Sequence, residues 1–278
     1  MNQAFTQFAA SGPHINIKAD VLFHFGPIPV TNSMILGVIG YALVIWAMFS
    51  TAKAVSTGSG NVVTKLVMMI YEMLLGTVEQ VLGDKKIARR IAPLSITLFF
   101  IIIVNYWLGI LPFVGPVTVG GVPLFRGLVA DMNVTFAMAI ISMFVVQVYA
   151  MKTHGFFGNL GRYFRNPIKD PAGSFEGILE LIAEISRLLA LSLRLFGNVF
   201  AGEVLLIMVG YMTQYLAGIA LLPFMVFELF IGSIQAYVFF MLTTVFIGLG
   251  MVSHGEHADH DADHDKKAVA STSLGSSA

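Results

Sequence analysis

Apolar runs bounded by short polar or Gly/Pro-rich stretches set the organisation of this chain. Residues 34–49 are apolar and, with their flanks, reach the roughly 20 residues that a helix needs to cross a bilayer. Residues 56–61, STGSGN, close that run as a loop. Residues 95–111 form a second apolar segment that stops at Pro112, and residues 133–151 form a third. Between them, residues 113–131 are a Gly/Pro-rich loop. Two longer stretches follow, at about residues 174–210 and 217–252. Each holds roughly 36 residues, or about 54 Å of helix. A hydrocarbon core is only about 30 Å thick. Such helices must tilt strongly, break, or run partly along the membrane plane. Gly197, Gly202, Gly210 and Pro223 are the candidate bend points.

Residues 62–82 carry a different pattern. Lys65, Glu72 and Glu79 recur every seven residues between mostly apolar positions, which puts one charged stripe on a helix. A helix lying in the interface fits this better than a crossing, where all three charges would need internal partners. The pattern as a whole predicts an all-α integral membrane protein. It has five membrane-crossing helices plus one interfacial amphipathic helix, with the last two crossings long and strongly tilted. Residues 1–29 read as an extracytoplasmic arm, 30–253 as the membrane domain and 254–278 as a disordered tail. The arm has no basic region leading into an apolar one, so it does not read as a signal peptide. The tail contains HGEHADHDADHD, but no fixed ligand spacing, and reads as solvated chain rather than a metal site. Asn105 and Trp107, inside the second crossing, read as helix-contact and interface residues.

Composition narrows the function classes. Of 278 residues, 56% are hydrophobic and only 12% charged, about half the charged share of a soluble domain. With 16 basic and 16 acidic residues, the chain offers nucleic acid no electrostatic footprint. It has no Cys, no P-loop and no HExxH, so nothing predicts an enzyme, a cofactor or a catalytic metal.

Charge also sets orientation. Lys53, Lys65, Lys85, Lys86, Arg89 and Arg90 lie between the first two crossings. Lys152, Arg162, Arg165 and Lys169 follow the third, and Lys266 and Lys267 lie in the tail. The other side has only Lys18 and Arg126. The positive-inside rule then places the amino end outside and the carboxyl end in the cytoplasm, in agreement with five crossings.

Arg194 is the residue that demands an explanation. It sits in LSLRLFGNVFAGE, residues 191–203, at membrane depth. An arginine there costs between about 3 and 17 kcal/mol, and it cannot escape by losing its proton. In the predicted orientation Glu176, Glu180, Glu184 and Arg187 lie in the cytoplasmic half of the fourth crossing. Asn198 and Glu203 lie in its outer half, as does Glu228 in the fifth crossing, with Gln235 near the middle. Acidic groups thus face both sides with a fixed cation between them, as an ion path made of two blind half-channels would need. At about 100° per residue, Arg187 falls about 20° from Arg194, and Glu180 and Asn198 about 40°. By the same count Glu184 is about 80° away, Glu203 about 180°, and Glu228 and Gln235 share a face. Either the helix bends near Gly197 or Gly202, or Glu203 turns toward Glu228 and leaves Arg194 free for a separate subunit. The second arrangement needs no break.

LSLRLFGNVFAGE and IQAYVFFMLTTVFIGL, residues 234–249, resemble subunit a of the F-type ATP synthase membrane sector. ADMNVTFAMAI, residues 130–140, is similar to the start of that family's third crossing. The resemblance covers about residues 25–253. It implies that Arg194 matches the arginine facing the rotating ring of c subunits. Asn198, Glu203, Glu228 and Gln235 then match the half-channel open to the outside, and Glu180 and Arg187 the cytoplasmic one, beside Glu184. The partners implied are the c-subunit ring, the b-subunit peripheral stalk and the rest of the synthase. Without a transit-peptide pattern in the arm, a bacterial plasma or inner membrane is the expected location, and an organelle-encoded copy would look the same. Members usually pair Glu with His at the positions of Glu203 and Glu228. This chain has Glu at both, so the two carboxylates would titrate as a pair.

Other readings compete. A self-contained secondary transporter would place its site at broken helices near the midplane, but no internal repeat is visible. A structural subunit would pair Arg194 internally with Glu184 or Glu203. A sodium-translocating version of the same subunit would differ in the ring's carboxylate site, outside this chain.

Overall fold

The computed structural model describes residues 16–26, 28–58, 60–112, 114, 117–119, 122–155 and 171–251. Six helices carry the described fold: α1 (Asn32–Thr57), α2 (Val62–Leu82), α3 (Lys85–Ile110), α4 (Met132–His154), α5 (Pro171–Thr213) and α6 (Ala217–Met251). All but α2 are long and apolar enough to cross a membrane, which gives five spans. The chain is an all-α, multi-pass membrane protein.

The expected interfacial helix occupies the predicted residues. It buries Val67, Leu74 and Val78, spaced to fall on one stripe, and packs on α1 and α3. Glycines set both its junctions. Gly58 ends α1 with φ 70° and donates its N–H to the Ala54 carbonyl at 3.0 Å. Gly83 ends α2 in the same way with φ 71°, bonding Glu79. Only a residue without Cβ adopts that conformation at little cost.

The second crossing begins ten residues earlier than the apolar run. Asp84 caps α3, its carboxylate accepting the Lys86 N–H at 2.7 Å, and the helix runs through the basic cluster and past Pro93. Ala88, Ile91 and Ala92 are buried, so one face of the charged turn packs while its Lys and Arg side chains point away. Asp131 caps α4 in the same manner, at 3.0 Å from the Asn133 N–H.

The two long stretches are unbroken helices. α5 spans 43 residues and α6 spans 35. None of Gly197, Gly202, Gly210 or Pro223 interrupts them. At about 64 Å, α5 exceeds twice a 30 Å hydrocarbon core, so tilt or overhang takes up the length.

α6 packs against α3, α4 and α5. The largest core cluster joins Leu191 and Leu195 of α5 to Phe239 and Phe240 of α6, with Ile96, Phe99 and Phe100 of α3. Phe99 meets Phe100 and Phe240 edge-on, at 5.4 and 6.4 Å between centroids. Before α1, the described part of the arm is a β-hairpin, Val21–Phe25 with Ile28–Thr31. A shorter hairpin, Thr118–Val119 with Val122–Pro123, precedes α4. The two are fastened together at the start of α1. Asn32 donates its Nδ2 to the Pro123 carbonyl at 3.1 Å, and Ser33 donates its hydroxyl to Asp131 at 3.0 Å. The basic loop with Arg162, Arg165 and Lys169 and the His/Asp-rich tail lie outside the described residues.

Candidate functional site

Leu191 and Leu195 are buried against α3 and α6, and this fixes the rotation of α5. Arg194 is thereby turned out of the core and exposed. It lines a depression of about 240 Å³ with Ser186, Arg187, Ala190, Leu242 and Phe246. The Arg187 guanidinium lies 5.4 Å from the centre of the Phe246 ring, a cation–π contact. Along the same face Ala190, Gly197, Asn198 and Ala201 are exposed. Small side chains around a protruding guanidinium let another helix approach closely.

Among the described residues no hydrogen bond or ion pair holds Arg194. The two carboxylates considered for internal pairing are engaged elsewhere. Glu184 accepts a hydrogen bond from Gln147 Nε2 of α4. Glu203 Oε2 lies 3.3 Å from Arg126 Nη2. Glu180 is half-buried, and Glu176 is exposed.

One turn beyond Arg194, Asn198 Nδ2 donates to Gln235 Oε1 of α6 at 2.6 Å. Gln235 is buried, and among the described residues its own Nε2 has no hydrogen-bond partner. Helix phase set Asn198 with Arg194 and Gln235 with Glu228; the contact between Asn198 and Gln235 is a feature of the packing of α5 on α6.

Glu203 and Glu228 do not pair as expected. Gly202, not Glu203, faces Glu228, and a Cβ on Gly202 would overlap the Glu228 carboxylate. Gly202 is therefore a close-contact position and not a bend. Glu203 points the other way, to Arg126 in the segment before α4. Arg126 is only 5% exposed and also donates Nη2 to the Asn16 carbonyl at 2.8 Å. Glu228, 3% exposed, accepts a hydrogen bond from the Tyr106 hydroxyl at 2.5 Å. Gly232, one turn along α6, makes room for the Tyr106 ring. The neighbouring Trp107 donates Nε1 to the Leu229 carbonyl at 3.3 Å, as its reading as a helix-contact residue expects. Asn105 is likewise buried against Gly40 of α1.

Three of these polar residues escaped the reading of the sequence as site residues. Arg126 entered it only as a charge on the sparsely basic side. Tyr106 stands between two residues that were noticed, and the signal was available: a phenol inside an aliphatic crossing needs a partner for its hydroxyl. Gln147 gave the same signal in α4. The chemistry assembled is a fixed cation, without a partner among the described residues, on an open helix face, with polar groups bridging α5 and α6 beyond it. Carboxylates lie toward both ends of α5, and each described one near the site has its own partner. Among the described residues no cluster of three or more His, Cys, Asp or Glu side chains could hold a metal ion.

Residues 31–248 match the sequence model of the family described as ATP synthase A chain. The ATP synthase subunit a of Desulforamulus reducens is 31% identical over 238 residues, covering 84% of this chain and 81% of the relative. The subunit a of Aliivibrio fischeri is 31% identical over 241 residues, covering 84% and 85%. That of Aeromonas salmonicida is 30% identical over 231 residues, covering 80% and 88%.

Proposed function

The chain belongs to the ATP synthase A chain family, and from that premise we propose that it is the proton-translocating stator of an F-type ATP synthase membrane sector. Its partners are a ring of c subunits, a b-subunit peripheral stalk and the rest of the complex, in a bacterial inner membrane. The amino end lies outside and the carboxyl end in the cytoplasm. The chain holds no nucleotide and catalyses no bond chemistry.

The observation that carries this reading is Arg194, exposed on α5 and without a described partner. A permanent cation on a membrane-crossing helix needs an anion. With Glu184 and Glu203 engaged, that anion comes from another subunit. A ring carboxylate supplies it in turn with every other one in the ring.

In this mechanism Glu203, Glu228, Asn198 and Gln235 belong to the outer half-channel. Glu180, Glu184 and Arg187 belong to the cytoplasmic one. A proton entering from outside protonates a ring carboxylate, and the neutral acid can rotate into lipid where a charged one could not. After nearly a full turn it releases the proton into the cytoplasmic half-channel. The carboxylate then left is attracted to Arg194, which also repels any proton that would pass directly between the half-channels. Each charge crossing 100 mV supplies about 2.3 kcal/mol.

The test is ATP-driven acidification of inverted membrane vesicles. Wild type acidifies, while Arg194→Ala stops acidification and leaves ATP hydrolysis by the detached soluble sector intact. Equal acidification by both would overturn the reading.

A further inference from the structure

The Tyr106–Glu228 pair is set more closely than packing alone asks for. Tyr106 is 2% exposed on α3, and Glu228 is 3% exposed on α6. Their hydrogen bond of 2.5 Å joins residues 122 apart in sequence. Two glycines make the pair possible. Gly202 of α5 lets the helix backbone lie against the carboxylate, and Gly232 of α6 admits the phenol ring. A larger residue at either place would overlap its neighbour. Three helices thus close around one carboxylate and one hydroxyl. A phenylalanine would fill the same volume and leave the carboxylate buried without this donor.

We propose that Tyr106 is a positioning residue for ion translocation: its hydroxyl holds the Glu228 carboxylate against Gly202, in the one orientation in which it exchanges a proton along the outer half-channel. The proposal rests on the function proposed above and deepens it. It also separates the two outer carboxylates, since Glu203 takes its orientation from Arg126 and Glu228 from Tyr106. They act as two individually held stations, one at the α5 surface facing the loop before α4 and one inside the α3–α5–α6 junction.

Tyr106→Phe is a fair probe because the fold has other attachments there. The ring keeps its place against Gly232, and Trp107 still donates to the Leu229 carbonyl. In inverted vesicles carrying the full complex, Tyr106→Phe should assemble at the wild-type level and acidify about tenfold more slowly, the loss of one hydrogen bond to a charged group. Glu228→Asp withdraws the carboxylate by one methylene and should imitate that loss. Tyr106→Phe added to Glu228→Asp should then cost less than about twofold more, because the coupling is already gone. Wild-type acidification by Tyr106→Phe overturns the proposal. So does an equal fold-loss in both backgrounds, and so does a loss that merely follows reduced assembly; either would make Tyr106 a packing residue. Arg194→Ala runs beside these variants. If it acidifies like wild type, the stator reading fails, whatever Tyr106 does.

Discussion

Asn198 and Gln235 join α5 to α6 through a 2.6 Å hydrogen bond one turn beyond Arg194. The bond fixes the two longest helices described against each other at the level of Arg194. Gln235 is buried and has no other described hydrogen bond. Asn198→Leu should strand its whole amide and cost about 1–3 kcal/mol. Thermal unfolding of the purified complex should show the lower midpoint. Asn198→Gln, which keeps a donor in reach, should lose less.

Arg194→Lys keeps the charge in water but not the function. A lysine desolvated against a partner helix can release its proton, and it lacks the planar fork that receives a carboxylate in two bonds. ATP-driven acidification should fall nearly as far as in Arg194→Ala. Recovery of half the wild-type rate would show that charge alone suffices.

Arg126→Ala leaves Glu203 without its cation and removes the donor to Asn16. The expected destabilisation is about 1–3 kcal/mol, less than for a fully buried pair because Glu203 keeps some contact with solvent. Arg126→Ala combined with Glu203→Gln should recover part of it, since no unpaired charge then remains. A double-mutant cycle on thermal midpoints measures the coupling.

Gly202→Ala and Gly197→Ala are the same change on the same helix with opposite surroundings. At Gly202 the methyl group meets the Glu228 carboxylate, whereas at Gly197 nothing lies within 4 Å. The first should lower both stability and acidification. The second should leave the stability of the isolated chain unchanged or raised, because alanine is favoured over glycine in a helix by about 1 kcal/mol. If a ring helix packs on the Arg194 face, Gly197→Ala will still slow acidification by spacing the two helices apart.

Much of the helical framework was legible because lipid permits few alternatives. An apolar run of sufficient length can only be a helix there, and turn residues mark its ends. α2 was legible to the residue because its charge stripe, STGSGN and Gly83 all agree. The start of α3 was not, because Lys85 to Arg90 looks like a boundary while Asp84 and the buried face of Ala88, Ile91 and Ala92 continue the helix. Two short hairpins, one in the arm and one in the Gly/Pro-rich loop before α4, left no periodicity long enough to read. In the site, helix phase grouped Asn198 with Arg194 and Gln235 with Glu228, but not Asn198 with Gln235, which only the packing of α5 on α6 brings together. Phase also put Glu203 opposite Arg194, but it could not say what stood there. Arg126 and Tyr106 bond partners 77 and 122 residues away, and such contacts depend on packing that no local pattern encodes.

The fastening at the start of α1 bears on how the chain is made. Ser33 emerges from the ribosome nearly a hundred residues before Asp131, its partner. Asn16 is completed by Arg126, and Arg126 by Glu203. The first crossing is therefore inserted long before its amino-terminal end can be secured, and the described part of the arm waits for the fourth crossing to be threaded. A nascent chain stopped between the second and third crossings should leave the hairpin Val21–Thr31 open to protease, and one released after the fourth should have it protected.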